Sequence, residues 1–291
     1  MIQEIQAKTL LGTVRGDDTL FQLKYNLNLY RGCEHQCIYC DSRSECYGIE
    51  NFNDILVKVN AIDLLKKELP SKRVKGPIGF GSMSDPYTPT ELQYNLTSQA
   101  LDVIASHNFP VLLITKSDLV LKDLDRLAAI QQATRAVVCF TLTTVRDDLA
   151  KKVEPGAPPP SARLQAMQAL AKRGILTGVT LMPILPFIED SWEDVSAIIR
   201  QTAQHGGSFI LPGFGMTQRN RQRDYYYAKL DVLFPGLRQK YEQRFGNQYS
   251  CPALNVRDLY QRFKVLCKEL DLATHLAPYQ MPAVPEQLSL F

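Results

Sequence analysis

The chain has 291 residues, 45% hydrophobic and 22% charged, values that belong to an ordinary folded protein and exclude a disordered or collagen-like one. Its 33 Lys and Arg against 30 Asp and Glu give a formal net charge of +3, and its length admits one large barrel or α/β domain, or one domain with a smaller appendage. No stretch approaches the roughly 18 apolar residues that span a bilayer, and the opening residues lack a basic-then-apolar signal, so a cytoplasmic protein with no membrane partner is expected.

A polar lead-in, 1–20, comes first. Residues 21–30 then alternate apolar and polar with period two, which predicts a strand running straight into Arg31, Gly32 and Cys33. Apolar residues at helical spacing over 53–69 predict a helix that stops before Pro70. A short apolar strand at 77–82 leads into a loop rich in Ser, Asp and Pro. From there the pattern repeats: helices at 95–107, 120–131, 160–173 and 192–204 separate strands at 110–116, 136–142, 176–182 and 208–211. Six strands alternating with five helices predict an α/β fold with a parallel sheet and right-handed crossovers. Six units are too few for a closed eight-unit barrel, so an open, partial (β/α)6 barrel is expected over 21–215, followed by a mostly helical extension over 216–280 and a tail over 281–291. In such sheets the loops at the strands' C-terminal edge build the site. That rule brings residues 33–40, 82–91, Lys116 and 143–146 to one mouth.

Cys33, Cys37, Cys40 and Cys46 fall within 14 residues, whereas Cys139, Cys251 and Cys267 are scattered. In a cytosolic chain such a cluster points to metal ligands or buried thiols rather than disulfides. Cys33, Cys37 and Cys40 have the spacing C-x3-C-x2-C. Thiolates are the ligands of iron–sulfur clusters, and a four-iron cube held by three of them keeps one iron open for another ligand. Zinc is the rival ion. It would need a fourth ligand such as His35 or Cys46, and the second knuckle of a structural zinc site is missing from the sequence.

The C-x3-C-x2-C loop, with Tyr39 before its last cysteine and placed after the first strand of a six-unit chain, resembles the radical S-adenosylmethionine (SAM) superfamily. The resemblance implies a [4Fe-4S] cluster on Cys33, Cys37 and Cys40, SAM on the open iron with Tyr39 against its adenine, and a low-potential electron donor. Reductive cleavage of SAM would then give a 5′-deoxyadenosyl radical. Residues 81–91, 114–118 and 152–163 resemble the spore photoproduct lyase branch, and the likeness extends over about residues 20–215. It implies that Ser84, Asp85 and Lys116 contact SAM, with Glu91, Thr143, Glu154 and Arg163 as further pocket candidates. A lysine ammonium suits the methionine carboxylate. One departure stands out: that branch's hydrogen-donating cysteine falls at Ser82 here, which puts the known lesion reversal in doubt and leaves Cys139 as the substitute donor.

Residues 216–245 carry seven Lys and Arg against three acids, and Arg219, Arg221 and Arg223 lie beside Tyr225, Tyr226 and Tyr227. That mixture suits phosphates and stacked bases, and suits equally an ordinary solvated helix whose tyrosines pack on the barrel. The final residues, Gln287, Leu288, Ser289, Leu290 and Phe291, resemble the peptide by which bacterial proteins bind the sliding clamp. The expectation is a radical SAM enzyme that repairs or modifies DNA. The same chemistry on a protein, RNA or metabolite, and a zinc-binding adaptor without activity, are the alternatives.

Overall fold

The structure is a computed structural model and describes residues 1–49 and 51–281. In chain order its elements are β1 (Ile2–Ile5), β2 (Leu11–Thr13), β3 (Tyr25–Leu27), β4 (Tyr30–Arg31), β5 (Ile55–Lys58), α1 (Ala61–Glu68), β6 (Ile78–Phe80), α2 (Thr90–Tyr94), α3 (Leu96–Ser106), β7 (Val111–Thr115) and α4 (Leu124–Ala133). They continue with β8 (Ala136–Thr141), α5 (Asp147–Val153), α6 (Pro160–Lys172), β9 (Leu176–Leu181), α7 (Trp192–Gln204), β10 (Phe209–Pro212), β11 (Gly215–Thr217), α8 (Asn220–Leu233), α9 (Leu237–Phe245), β12 (Ser250–Pro252) and α10 (Val256–Glu269).

The main sheet has the order β10-β9-β8-β7-β6-β3-β2. The pairs from β3 through β10 are all parallel, and β2 closes one edge antiparallel to β3. Chain order and sheet order coincide along the six parallel strands, as expected when each βα unit crosses over in one direction. The sheet is open, the partial form expected from six units.

Both faces of this sheet are buried, which explains the continuous apolar runs of its strands. On β8, Ala136, Val138 and Phe140 join the core under the helices, while Val137 and Cys139 point to the inner face with Leu112, Phe209 and Leu211. Leu276, beyond α10, packs into that inner cluster, and Ala273 bridges to Phe209 of β10. The C-terminal stretch thus completes the core of the strands it follows.

The helix expected over 53–69 is a strand followed by a shorter helix. Ile55 and Val57 alternate with half-buried neighbours, so the local period is two, and β5 pairs with β1 in parallel and with β4 antiparallel. Helical spacing begins only at Ala61. The polar lead-in also contributes structure, because β1 and β2 each add a strand. Among the described residues no helix is long and apolar enough to cross a membrane.

Candidate active site

The loop after β4 carries Cys33, Cys37 and Cys40 to the C-terminal edge of the sheet. Gly32 makes its first turn possible: φ is +78°, and a Cβ there would come within 2.3 Å of the Asp54 carbonyl oxygen. Behind the loop the chain approaches equally closely at Gly156, where a Cβ would fall 2.1 Å from the Glu34 carbonyl oxygen. The Gly156 N–H donates to the His35 carbonyl (3.0 Å) and the Ile38 N–H to that of Val153 (2.9 Å), so the segment after α5 backs the loop.

A cavity of about 630 Å³ opens at this edge, lined by Cys33, Cys37, Cys40, Tyr39, Ser84, Asp85 and Lys116 among others, with Thr141 and Thr180 on the strands beneath. Its volume lies within the range of small-molecule sites. Burial pushes the Cys37 thiol up to about 12 and raises those of Cys33 and Cys40, with the nearby Lys116 ammonium pulling Cys37 and Cys40 back down. Burial works against the charge of Lys116, yet Cys37, Glu154 and Asp85 more than offset it and raise its pKa. Its Nζ lies 5.7 Å from the centre of the Tyr39 ring.

Ser84 and Asp85 line the cavity and also hold it together. The Ser84 hydroxyl donates to the Gly32 carbonyl oxygen at 2.6 Å. Asp85 accepts from the Lys116 N–H (2.7 Å), the Thr115 hydroxyl (2.7 Å) and the Tyr87 N–H (2.9 Å), and its Oδ2 lies 3.1 Å from His35 Nε2. Burial opposes its ionisation, but His35 and these donors hold its carboxyl at about 2. One carboxylate therefore ties the end of β7 to the loop after β6 and to the cysteine loop.

Four residues expected in the pocket stand outside its lining. Glu154 and Arg163 form an ion pair of 2.5 Å behind Tyr39, whose hydroxyl donates to Glu154. Arg163 also donates to the carbonyls of Pro158 (2.8 Å) and Thr141 (3.0 Å). Burial raises the Glu154 carboxyl, yet Arg163 and Lys116 outweigh it and leave it below its ordinary value. Thr143 donates to Glu189 (3.0 Å), a carboxyl that burial, with Glu154 nearby, pushes up to about 8. Glu91 caps α3, accepting from the Thr97 and Ser98 N–H groups, and pairs with Lys122 Nζ at 2.7 Å. It stands there because the first turn of a helix offers unpaired N–H donors. Cys139, the expected substitute donor, is fully buried among Leu112, Val137 and Phe209 below the cavity, where it packs as a small apolar side chain.

The Arg- and Tyr-rich start of α8 is mostly a clamp on the cysteine loop. Arg221 donates to the carbonyls of Arg43 (3.0 Å) and Ile49 (2.6 Å). Arg43 lies between the rings of Tyr225 (3.8 Å) and Phe52 (4.2 Å), while Tyr226 and Tyr227 are buried. The expected clamp-binding residues Gln287, Leu288, Ser289, Leu290 and Phe291 lie outside the described residues.

The donor set fits an iron–sulfur cluster: three thiols on one short loop, in a cavity whose lysine offsets thiolate charge. Among the described residues no three His, Cys, Asp or Glu side chains converge as they would on a single ion. His35, one of the expected fourth zinc ligands, is engaged with Asp85 and with the Gly156 carbonyl.

Spore photoproduct lyase complexed with dinucleoside spore photoproduct superposes with a TM-score of 0.69 at 16% identity, covering 92% of this chain and 79% of that one, a likeness of fold. An uncharacterized protein of Mycobacterium tuberculosis is 29% identical over 301 residues, which cover 99% of this chain and 87% of its own length. The radical SAM Nalpha-GlyT isomerase of Pseudomonas phage M6 is 22% identical over 182 residues, covering 62% of this chain and 37% of the isomerase. Residues 27–200, more than half of the chain, match the Radical SAM superfamily. The chain is a member of the radical SAM superfamily.

Proposed function

We propose that this radical SAM enzyme holds a [4Fe-4S] cluster on Cys33, Cys37 and Cys40 and acts on a nucleic acid, repairing or modifying DNA. The observation that carries the reading is the shared cavity: all three thiols, Tyr39 and Lys116 line one opening at the C-terminal edge of the parallel strands. When bound, the reduced cluster and SAM supply a carbon radical that abstracts hydrogen.

The chain's own residues supply position and charge. Lys116, held protonated by its acidic neighbours, is placed to pair with the carboxylate of SAM. The Tyr39 ring is fixed from behind by Glu154, which accepts from its hydroxyl. Asp85 is fully engaged, so its part is to fix the Lys116 backbone rather than to bind the ligand. The apolar side of the cavity, with Phe214, Met182 and Met216, excludes water from the reacting carbon. The nucleic-acid substrate is supported by the likeness of fold to a protein solved with a dinucleoside lesion and by the arginines beside the cavity.

Anaerobic incubation of the reconstituted enzyme with SAM, reductant and lesion-bearing or undamaged oligonucleotides tests the reading. The expected result is 5′-deoxyadenosine formation that oligonucleotide accelerates, together with a changed oligonucleotide mass. SAM cleavage indifferent to every DNA oligonucleotide would move the substrate to a protein, RNA or metabolite. A role for the 287–291 peptide at the sliding clamp is part of the same proposal, and unchanged clamp affinity after deleting those residues would remove it.

A further inference from the structure

A second cavity, of about 370 Å³, lies between the cysteine loop and the start of α8. It neighbours the first along the β11–β12 ribbon. Thr217 pairs with Ser250 and both line the main cavity, whereas the next rung, Gln218 and Tyr249, lines the second. Asp41, in the main cavity, lies 3.2 Å from Arg219 Nε at the boundary.

The second cavity is furnished for an anion. Asn220, the first residue of the 14-residue α8, lines it, which sets the cavity at the positive dipole end of that helix. Arg219 and Arg223, one helical turn apart, flank it. Among the described residues the Arg219 Nη atoms donate to uncharged side-chain partners, Cys46 Sγ (2.8 Å) and the Tyr249 hydroxyl (2.8 Å). Arg223 spends its Nη atoms on Asn247 and on the carbonyls of Gln218 and Gln248, and its Nε has no hydrogen-bond partner among the described residues.

A separate observation points to a ligand. Gln218 is 1% exposed and lines the cavity, its Oε1 accepts from the Tyr227 hydroxyl, and among the described residues its Nε2 has no hydrogen-bond partner. A buried donor left unpaired is costly and calls for an acceptor. One carboxylate, the exposed Glu45, also lines the site and opposes the two guanidinium groups.

We propose that this cavity is a phosphate subsite that holds a backbone phosphodiester of the nucleic acid whose reacting nucleotide occupies the main cavity. The inference rests on the nucleic-acid reading above and adds a location to it. The boundary at Asp41 and Arg219 then separates the chemistry from the grip, and a substrate without a flanking phosphate would bind without this hold.

The test is fluorescence anisotropy of the full-length reconstituted protein with a 5′-labelled ten-nucleotide single-stranded DNA over a salt series. Each phosphate contact contributes about 0.7 to the log–log salt slope for single strands. Arg223→Gln should weaken binding about tenfold and lower the slope by about 0.7, whereas Arg262→Gln, which removes the same charge beside Trp192 on another face, should change the slope far less. Glu45→Gln keeps the proposal open to refutation should the arginine variant fold poorly, because it should tighten binding about two- to threefold. Inorganic phosphate should compete with the oligonucleotide and slow alkylation of the exposed Cys46. Salt-dependent binding that is equal for wild type, Arg223→Gln and Glu45→Gln would overturn the subsite and leave the nucleic-acid reading intact. No binding of any oligonucleotide by wild type would overturn both. Protection of Cys46 by inorganic phosphate without oligonucleotide binding would overturn the phosphodiester assignment in favour of a small phosphorylated ligand.

Discussion

The wall of the main cavity and the layer behind it treat charge in opposite ways. In front, three thiols and Lys116 face an open space, and among the described residues the ammonium forms no ion pair. Behind, Glu154 and Arg163 meet at 2.5 Å, Asp85 at the rim gathers three hydrogen bonds and His35, and Glu189 forms no ion pair among the described residues. The front keeps its reactive groups available, and the back fixes where they stand. Substitutions should therefore separate into those that remove chemistry at little cost in stability and those that do the reverse.

The largest effect is expected at the front. Cys37→Ala should abolish iron–sulfur loading and SAM cleavage, read as iron content and 5′-deoxyadenosine, while the melting temperature of the metal-free protein moves little. Behind the wall, Arg163→Met leaves Glu154 buried without its partner and should cost about 3–5 kcal/mol in denaturant unfolding. A double Glu154→Gln, Arg163→Met variant should recover part of that loss, and additive losses would show that the pair is not coupled.

A smaller effect separates the layers by ligand rather than by fold. Lys116→Met should weaken SAM binding about 10- to 100-fold by calorimetry and leave stability nearly unchanged. Equal SAM affinity would mean that the ammonium serves the layer behind it.

Glu189 separates the two layers through pH, because it is a carboxyl behind the wall that forms no ion pair among the described residues. Its folded value of about 8 lies above the ordinary one, so the folded state keeps a proton that the unfolded state releases. Its contribution is complete at acid pH and is lost as pH rises from the ordinary carboxylate range through about 8. Glu189→Gln should therefore raise the melting temperature by about 2–4 °C at pH 8 and by much less at pH 5. The smallest effect is expected at Cys139, where Cys139→Ala should cost about 1 kcal/mol of packing and leave turnover unchanged. A large loss of turnover would return Cys139 to the reaction despite its burial.

Much of this division can be read from the sequence, for a physical reason. The helix at 192–204 shows the same bounds in the sequence pattern and in the structure because Ser191 caps it and its apolar stripe is regular. The cysteine spacing, Lys116 at the end of β7 and the convergence of loops at one edge follow from strand direction alone. What the sequence conceals depends on partners distant in the chain. Ile55 and Val57 look helical until β1 and β4 claim them. Glu91 belongs to an unpaired helix start, and Glu154 to Arg163, so both are structural acids within motif-like stretches. Glu189 carried no signal beyond an acidic residue in the loop after β9, since its environment comes from Thr143 and Glu154. The arginines of α8 read equally as a basic patch and as an ordinary solvated helix face, and the clamp made by Arg221 emerges only when the cysteine loop is folded against it.

Electron paramagnetic resonance of the anaerobically reconstituted, reduced protein with and without SAM tests the central claim most directly. The expected result is about four irons per chain, a reduced-cluster signal whose shape changes when SAM is added, and loss of the signal in Cys37→Ala. A protein that takes up no iron, or a cluster signal indifferent to SAM, would contradict it.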